Sequence, residues 1–170
     1  MLVAVAEFLT ETGVTVLRCD LPFRQKRLFG PSAPSAANED RAGLEAAVQA
    51  MRRIAGGPVV LGGHSYGGRQ STMLAAEKPG VCDALVLFSY PLHPPDKPAQ
   101  ARTAHLPNLQ TPSLFIHGTK DPFGTIEEMT AALKLIPGRT ELKIIEGAGH
   151  DLKKGTFDLN FLKAYFAAVA

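Results

Sequence analysis

Gly63-His64-Ser65-Tyr66-Gly67 sets a serine at the centre of a G-x-S-x-G pentapeptide. A serine hydroxyl at its ordinary pKa is a weak nucleophile, and it attacks a carbonyl only when a base takes its proton and an acid orients that base. Both partners follow in the chain. Asp121 lies in His117-Gly118-Thr119-Lys120-Asp121-Pro122, and His150 lies in Glu146-Gly147-Ala148-Gly149-His150-Asp151. A serine, an imidazole and a carboxylate in one hydrogen-bonded row perform acyl transfer through a covalent acyl-enzyme. Gly62, Gly63, Gly67 and Gly68 flank the serine. Residues without a Cβ let a strand and a helix approach closely around a strained turn, which exposes the hydroxyl. The amide of Tyr66 then falls at a helix amino terminus, where unpaired N–H groups and the helix dipole favour a developing oxyanion.

Each residue also has a plainer reading. A glycine turn with a capping serine would explain the pentapeptide by itself, Asp121 could cap the loop before Pro122, and Asp151 is a rival acid. His150 could be a surface histidine, although Gly147 and Gly149 point to a backbone held in a special path. His64, beside the serine, and His117, inside a strand, read as structural. Among substrate-binding candidates, Arg24 and Arg69 could hold a substrate carboxylate, while His93 and His105 could line a pocket. Arg24 and His93 are the two carried forward.

Strands and helices must bring Ser65, Asp121 and His150 together. Five apolar runs without polar alternation, the mark of strands buried on both faces, cover residues 14–20, 59–64, 84–90, 113–119 and 141–147. Helices are predicted between them, over about 2–12, 38–55, 66–78, 125–136 and 156–169. The second presents Leu44, Val48, Met51 and Ile54 on one face. Thr125-Ile126-Glu127-Glu128 is a capping box, and the last helix is expected to bury Phe157, Phe161, Ala164, Tyr165 and Ala168. Strand and helix in alternation predict a single α/β domain, a three-layer α/β/α sandwich around a mainly parallel sheet of about five strands. All three candidate catalytic residues then sit just past the carboxyl end of a strand, where such folds place their sites.

The 170 residues are 45% apolar and 20% charged, the balance of a folded domain rather than a disordered chain. No run approaches the roughly 18 apolar residues of a spanning helix, and the amino terminus lacks the basic start of a secretory signal. No membrane role and a cytoplasmic location are the expectation. Formal net charge is +2 and the basic residues are scattered, so no nucleic-acid partner is expected. Cys19 and Cys82 lack the spacing of a disulfide framework or a zinc site.

The serine pentapeptide, the order Ser65, Asp121, His150, and the phrases Asp20-Leu21-Pro22-Phe23-Arg24 and Tyr90-Pro91-Leu92-His93-Pro94-Pro95 carry a resemblance. The chain resembles α/β hydrolases of the small, lidless, dienelactone-hydrolase-like branch. That resemblance implies a serine hydrolase of carboxylic esters or small acyl substrates, with a Ser65-His150-Asp121 triad, the Tyr66 amide at the oxyanion, and no metal or organic cofactor. The family's pattern has a central strand and a loop with a second oxyanion donor ahead of the first helix. Here the first helix starts at once, so either the sequence begins downstream of the true start or a truncated version of the fold is expected. Residues 14–20 would then pair directly with 59–64, and the enzyme would be slow unless an amide near Pro22 to Arg24, or the Arg24 side chain, replaces the donor. The alternative is a non-catalytic, hydrolase-like protein-interaction domain. A homodimer that completes its sheet from a neighbour is a third reading.

Overall fold

Val, Leu, Ile and Phe concentrate where the backbone pairs on both sides. Ala84–Phe88 (β2) and Ser113–Gly118 (β3) are buried along their whole length, as central strands must be. Val60–His64 (β1) and Thr140–Ile145 (β4) flank them in a parallel sheet of order β1-β2-β3-β4. This is a computed structural model, and it describes residues 1–152 and 158–169.

Alternation along β2 divides the core into two layers. Leu85 and Leu87 pack with Leu44 and Val48 of Ala37–Ala55 (α3), Leu74 of Tyr66–Glu77 (α4) and Met129 of Ile126–Leu133 (α5). Val86 and Phe88 point the other way, to Val5 and Leu9 of Leu2–Glu11 (α1) and to Leu162 of Asn160–Val169 (α6). The Tyr165 hydroxyl donates to the carbonyls of Leu85 and Pro112 at 3.0 and 3.3 Å, which ties α6 to the sheet. A short helix, Pro22–Lys26 (α2), has Pro22 in its first turn. The element boundaries follow local chemistry. Thr125 and Glu128 form the expected capping box of α5, and Gly56, at φ +64°, closes α3 in the left-handed conformation.

Residues 14–20 do not form the expected fifth strand. Val14 donates its amide back to Leu9, and the segment joins no ladder. A groove of about 1,380 Å³ separates it from β1, with Val14 and Val16 on one bank, Val60 and Gly62 on the other, and Leu9 and Val48 among the walls. A ladder requires backbones about 4.8 Å apart. The turn at Gly13, φ +88°, delivers the chain across the groove instead, so among the described residues β1 pairs with β2 alone.

Two helix faces also differ from the sequence reading. Ile54 is 69% exposed, off the face that Leu44, Val48 and Met51 turn to the core. In α6 the buried residues are Leu162 and Tyr165, while Ala164 and Ala168 are exposed. The expected stripe was rotated by one residue, and its Phe157 lies outside the described residues.

Candidate active site

Ser65 sits between β1 and α4 with φ +52° and ψ −120°, a left-handed backbone that an L-residue adopts only when its surroundings over-determine it. Its N–H donates to Phe88 of β2 at 2.8 Å, and Arg69 returns an amide to the Ser65 carbonyl at 3.0 Å. The turn demands close backbone packing. A Cβ on Gly63 would meet Gly67 and Gly68 at 2.7 Å. Tyr66 opens α4, so its N–H belongs to the first-turn amides that no helix carbonyl reaches.

Asp121 and His150 converge on this serine. His150 Nδ1 lies 3.0 and 2.9 Å from the two Asp121 oxygens, and its Nε2 lies 2.7 Å from Ser65 Oγ. With Nδ1–H donating to the carboxylate, Nε2 is the acceptor for the serine hydroxyl. The Asp121 side chain is fully buried, which a carboxylate tolerates when donors surround it. The Phe123 amide supplies a further donor at 2.9 Å.

Two side chains flank the imidazole. Phe123 stacks on it with ring centroids 4.2 Å apart, and His64 lies 5.1 Å away on another side. His64 Nε2–H donates to the His150 carbonyl at 2.8 Å, and His117 Nε2–H donates to the Gly124 carbonyl at 2.8 Å. Both histidines are structural in this sense: they pin the loops that carry the acid and the base. Burial lowers the pKa of each below the ordinary imidazole value.

The loops of Asp121 and His150 cross at Gly118, whose Cα faces the Ala148 carbonyl so closely that a Cβ there would collide with it. Gly118→Ala is therefore expected to destabilise the fold by about 1–3 kcal/mol through overpacking. It also pushes His150 away from Asp121. Urea denaturation of the variant measures the first effect and any activity the second.

Both substrate-binding candidates have hydrogen-bond partners within the protein. The Arg24 guanidinium donates to the carbonyls of Arg27, Leu28 and Gly30 at 3.3, 2.7 and 3.1 Å, closing its own loop, and Arg24 is among the residues that line the groove beside Ser65. His93 is buried, with Nδ1 2.8 Å from the Pro94 carbonyl and Nε2 3.1 Å from Glu128. The first of these bonds, and then the carboxylate, raise its pKa. The expected substitute oxyanion donor is likewise absent from residues 22–24. Pro22 has no N–H, the Phe23 amide donates to Asp40 Oδ1 at 2.9 Å, and the Arg24 amide donates to Leu21 at 2.7 Å. Sequence reading missed Asp40, whose carboxylate is fully buried and also receives the Tyr66 hydroxyl at 2.7 Å. An acidic residue in the first turn of a helix looks like an ordinary dipole partner, so nothing marked it.

His105 lies 2.8 Å from Thr72 Oγ1, and burial followed by the charges of Arg69 and Arg41 pushes its pKa down to about 4. The unfolded imidazole titrates near ~6.5 and binds a proton that the folded one refuses. Stability is therefore complete above pH ~6.5 and falls as the pH drops towards 4, by about 3 kcal/mol for this residue. His105→Gln should flatten that slope in denaturation midpoints measured between these two pH values.

Among the described residues, no group of three His, Cys, Asp or Glu side chains is arranged to hold a metal. No helix there is long and apolar enough to cross a membrane.

A parallel sheet between helical layers, with a serine on a strained strand-to-helix turn and an imidazole and a carboxylate on the next loops, defines the class. The model of the alpha/beta hydrolase domain family matches residues 1–160, and the chain belongs to that family. Solved structures share the fold. A dienelactone hydrolase from Anabaena variabilis ATCC 29413 is similar at TM-score 0.72 and 24% identity, over 98% of this chain and 74% of that one. A monoacylglycerol lipase from Paleococcus ferrophilus is similar at 0.61 and 13%, over 78% and 74%. Esterase PE8 is similar at 0.57 and 22%, over 80% and 63%. The chain thus spans 63–74% of their lengths. No curated protein matches it.

Proposed function

We propose that this member of a hydrolase family is a serine hydrolase of carboxylic esters or related small acyl compounds. Ser65 Oγ attacks the carbonyl carbon while His150 Nε2 takes its proton, and Asp121 stabilises the imidazolium and holds the tautomer. The Tyr66 N–H donates to the oxyanion. Collapse of the tetrahedral intermediate breaks the bond to the leaving alcohol, which receives the proton from His150. Water, deprotonated by the same imidazole, then releases the acid and restores Ser65. No step calls on a cofactor.

The observation that carries this reading is the unbroken hydrogen-bond row from Asp121 through His150 to Ser65. The test is intact mass after incubation with a fluorophosphonate, on the wild type and on Ser65→Ala. A single adduct that disappears in the variant supports an activated serine. A folded wild type without an adduct overturns it.

One observation favours the second reading, a non-catalytic interaction domain. The amides of Phe23 and Arg24 are spent inside the protein, so neither supplies the second oxyanion donor. Loss of one such donor costs about 10²–10³ in turnover. Under that reading the fluorophosphonate leaves the protein unmodified.

A further inference from the structure

Asp40 draws together three donors that lie far apart in the chain. Its Oδ1 accepts the Phe23 amide at 2.9 Å, and its Oδ2 accepts the Tyr66 hydroxyl at 2.7 Å. Ser32 Oγ lies 3.5 Å from the same Oδ2 and 3.0 Å from Tyr66 Oη. Two further features lock this corner. Gly43, one turn along α3, receives the Pro22 ring so closely that a Cβ would come within 2.7 Å of Pro22 Cγ. The Phe23 and Tyr66 rings meet edge-on with centroids 5.4 Å apart. Both rings line the groove into which Ser65 and His150 open.

The dihedral that aims the Tyr66 N–H is ψ of Ser65, and it belongs to a residue in a left-handed conformation. Such a conformation costs about 1–3 kcal/mol and persists only when neighbours hold it. On its amino side the anchor is the Ser65 amide on Phe88. On its carboxyl side the next residue, Tyr66, reaches through its ring to the buried carboxylate. We propose that Asp40 and Tyr66 are a positioning pair: the Asp40–Tyr66 hydrogen bond holds the peptide after Ser65 with its N–H towards the developing oxyanion, while the Asp40–Phe23 bond fixes the wall beside it. This rests on Ser65 being the nucleophile. It assigns Asp40 no contact with substrate.

The test uses Tyr66→Phe, Asp40→Asn and the double variant, with kcat and KM for p-nitrophenyl acetate, the rate of fluorophosphonate labelling, and the melting temperature of each. A misplacement of about 1 Å in a catalytic group costs on the order of 10²-fold. Tyr66→Phe should therefore lower kcat about 10- to 100-fold with KM within about two-fold, and the double variant should be no slower than the slower single one, as for two residues acting through one bond. A purely structural role moves the melting temperature and leaves kcat per folded molecule unchanged. That outcome, or losses that multiply in the double variant, overturns the pair. Should Asp40→Asn fail to fold, Tyr66→Phe decides alone, because it keeps the Asp40–Phe23 bond. A wild type whose Ser65 is not labelled removes the nucleophile and the pair together; a labelled wild type with variants at full speed removes only the pair.

Discussion

Ser65→Ala should abolish ester turnover while the protein remains folded. Removing the serine of such a triad costs about 10⁶-fold in kcat, because base and acid have nothing left to activate. Folding should survive, since Ser65 Oγ has the His150 ring as its hydrogen-bond partner and the left-handed turn is a property of the backbone. Alanine keeps that turn no better than serine does, so a modest fall in melting temperature is expected beside a complete loss of activity. Turnover of p-nitrophenyl acetate, with circular dichroism as the folding check, separates the two. Retention of more than about a thousandth of wild-type kcat would mean that another nucleophile does the work.

Asp121→Asn carries the second largest effect, and its cause is a tautomer rather than a lost contact. The carboxylate accepts from His150 Nδ1, which leaves Nε2 free to accept the serine proton. An amide NH₂ in its place donates to Nδ1 and drives the ring proton to Nε2, where the base is needed. A change of this kind lowers kcat about 10⁴-fold. KM should stay near the wild-type value, because Asp121 is buried beneath the imidazole and touches no substrate. A loss smaller than about ten-fold would shift the acid's role to another carboxylate, with Asp151 first in line.

Ser65, Asp121 and His150 were legible before any coordinates, for a reason rooted in local chemistry. A strained turn needs glycines on both sides of its serine, and Gly63 and Gly68 do pack against each other's backbones. The helices were legible likewise, because Thr125 with Glu128 and the left-handed Gly56 mark ends by interactions within a few residues. Residues 14–20 were not. A run such as Val-Thr-Val-Leu is strand-like anywhere, but whether it becomes a strand depends on a neighbour at ladder distance, and that is a long-range fact. The local partners of Arg24 and His93 were not legible for a related reason. Whether a cation meets a substrate or a nearby carbonyl depends on the path of the loop, and composition is silent about that path.

By itself, then, the sequence determined the α/β alternation, the nucleophile turn and the order of the three candidate catalytic residues. Each of these is written in short spacings that any fold of this chain must respect. The tertiary structure decided the four-stranded sheet with β1 at its edge, the hold of the Arg24 guanidinium on its own loop, and the burial of Asp40 against Tyr66 and Phe23. Those outcomes depend on which backbone groups and side chains, dozens of residues apart, come within hydrogen-bonding reach once two layers of helices close over the sheet.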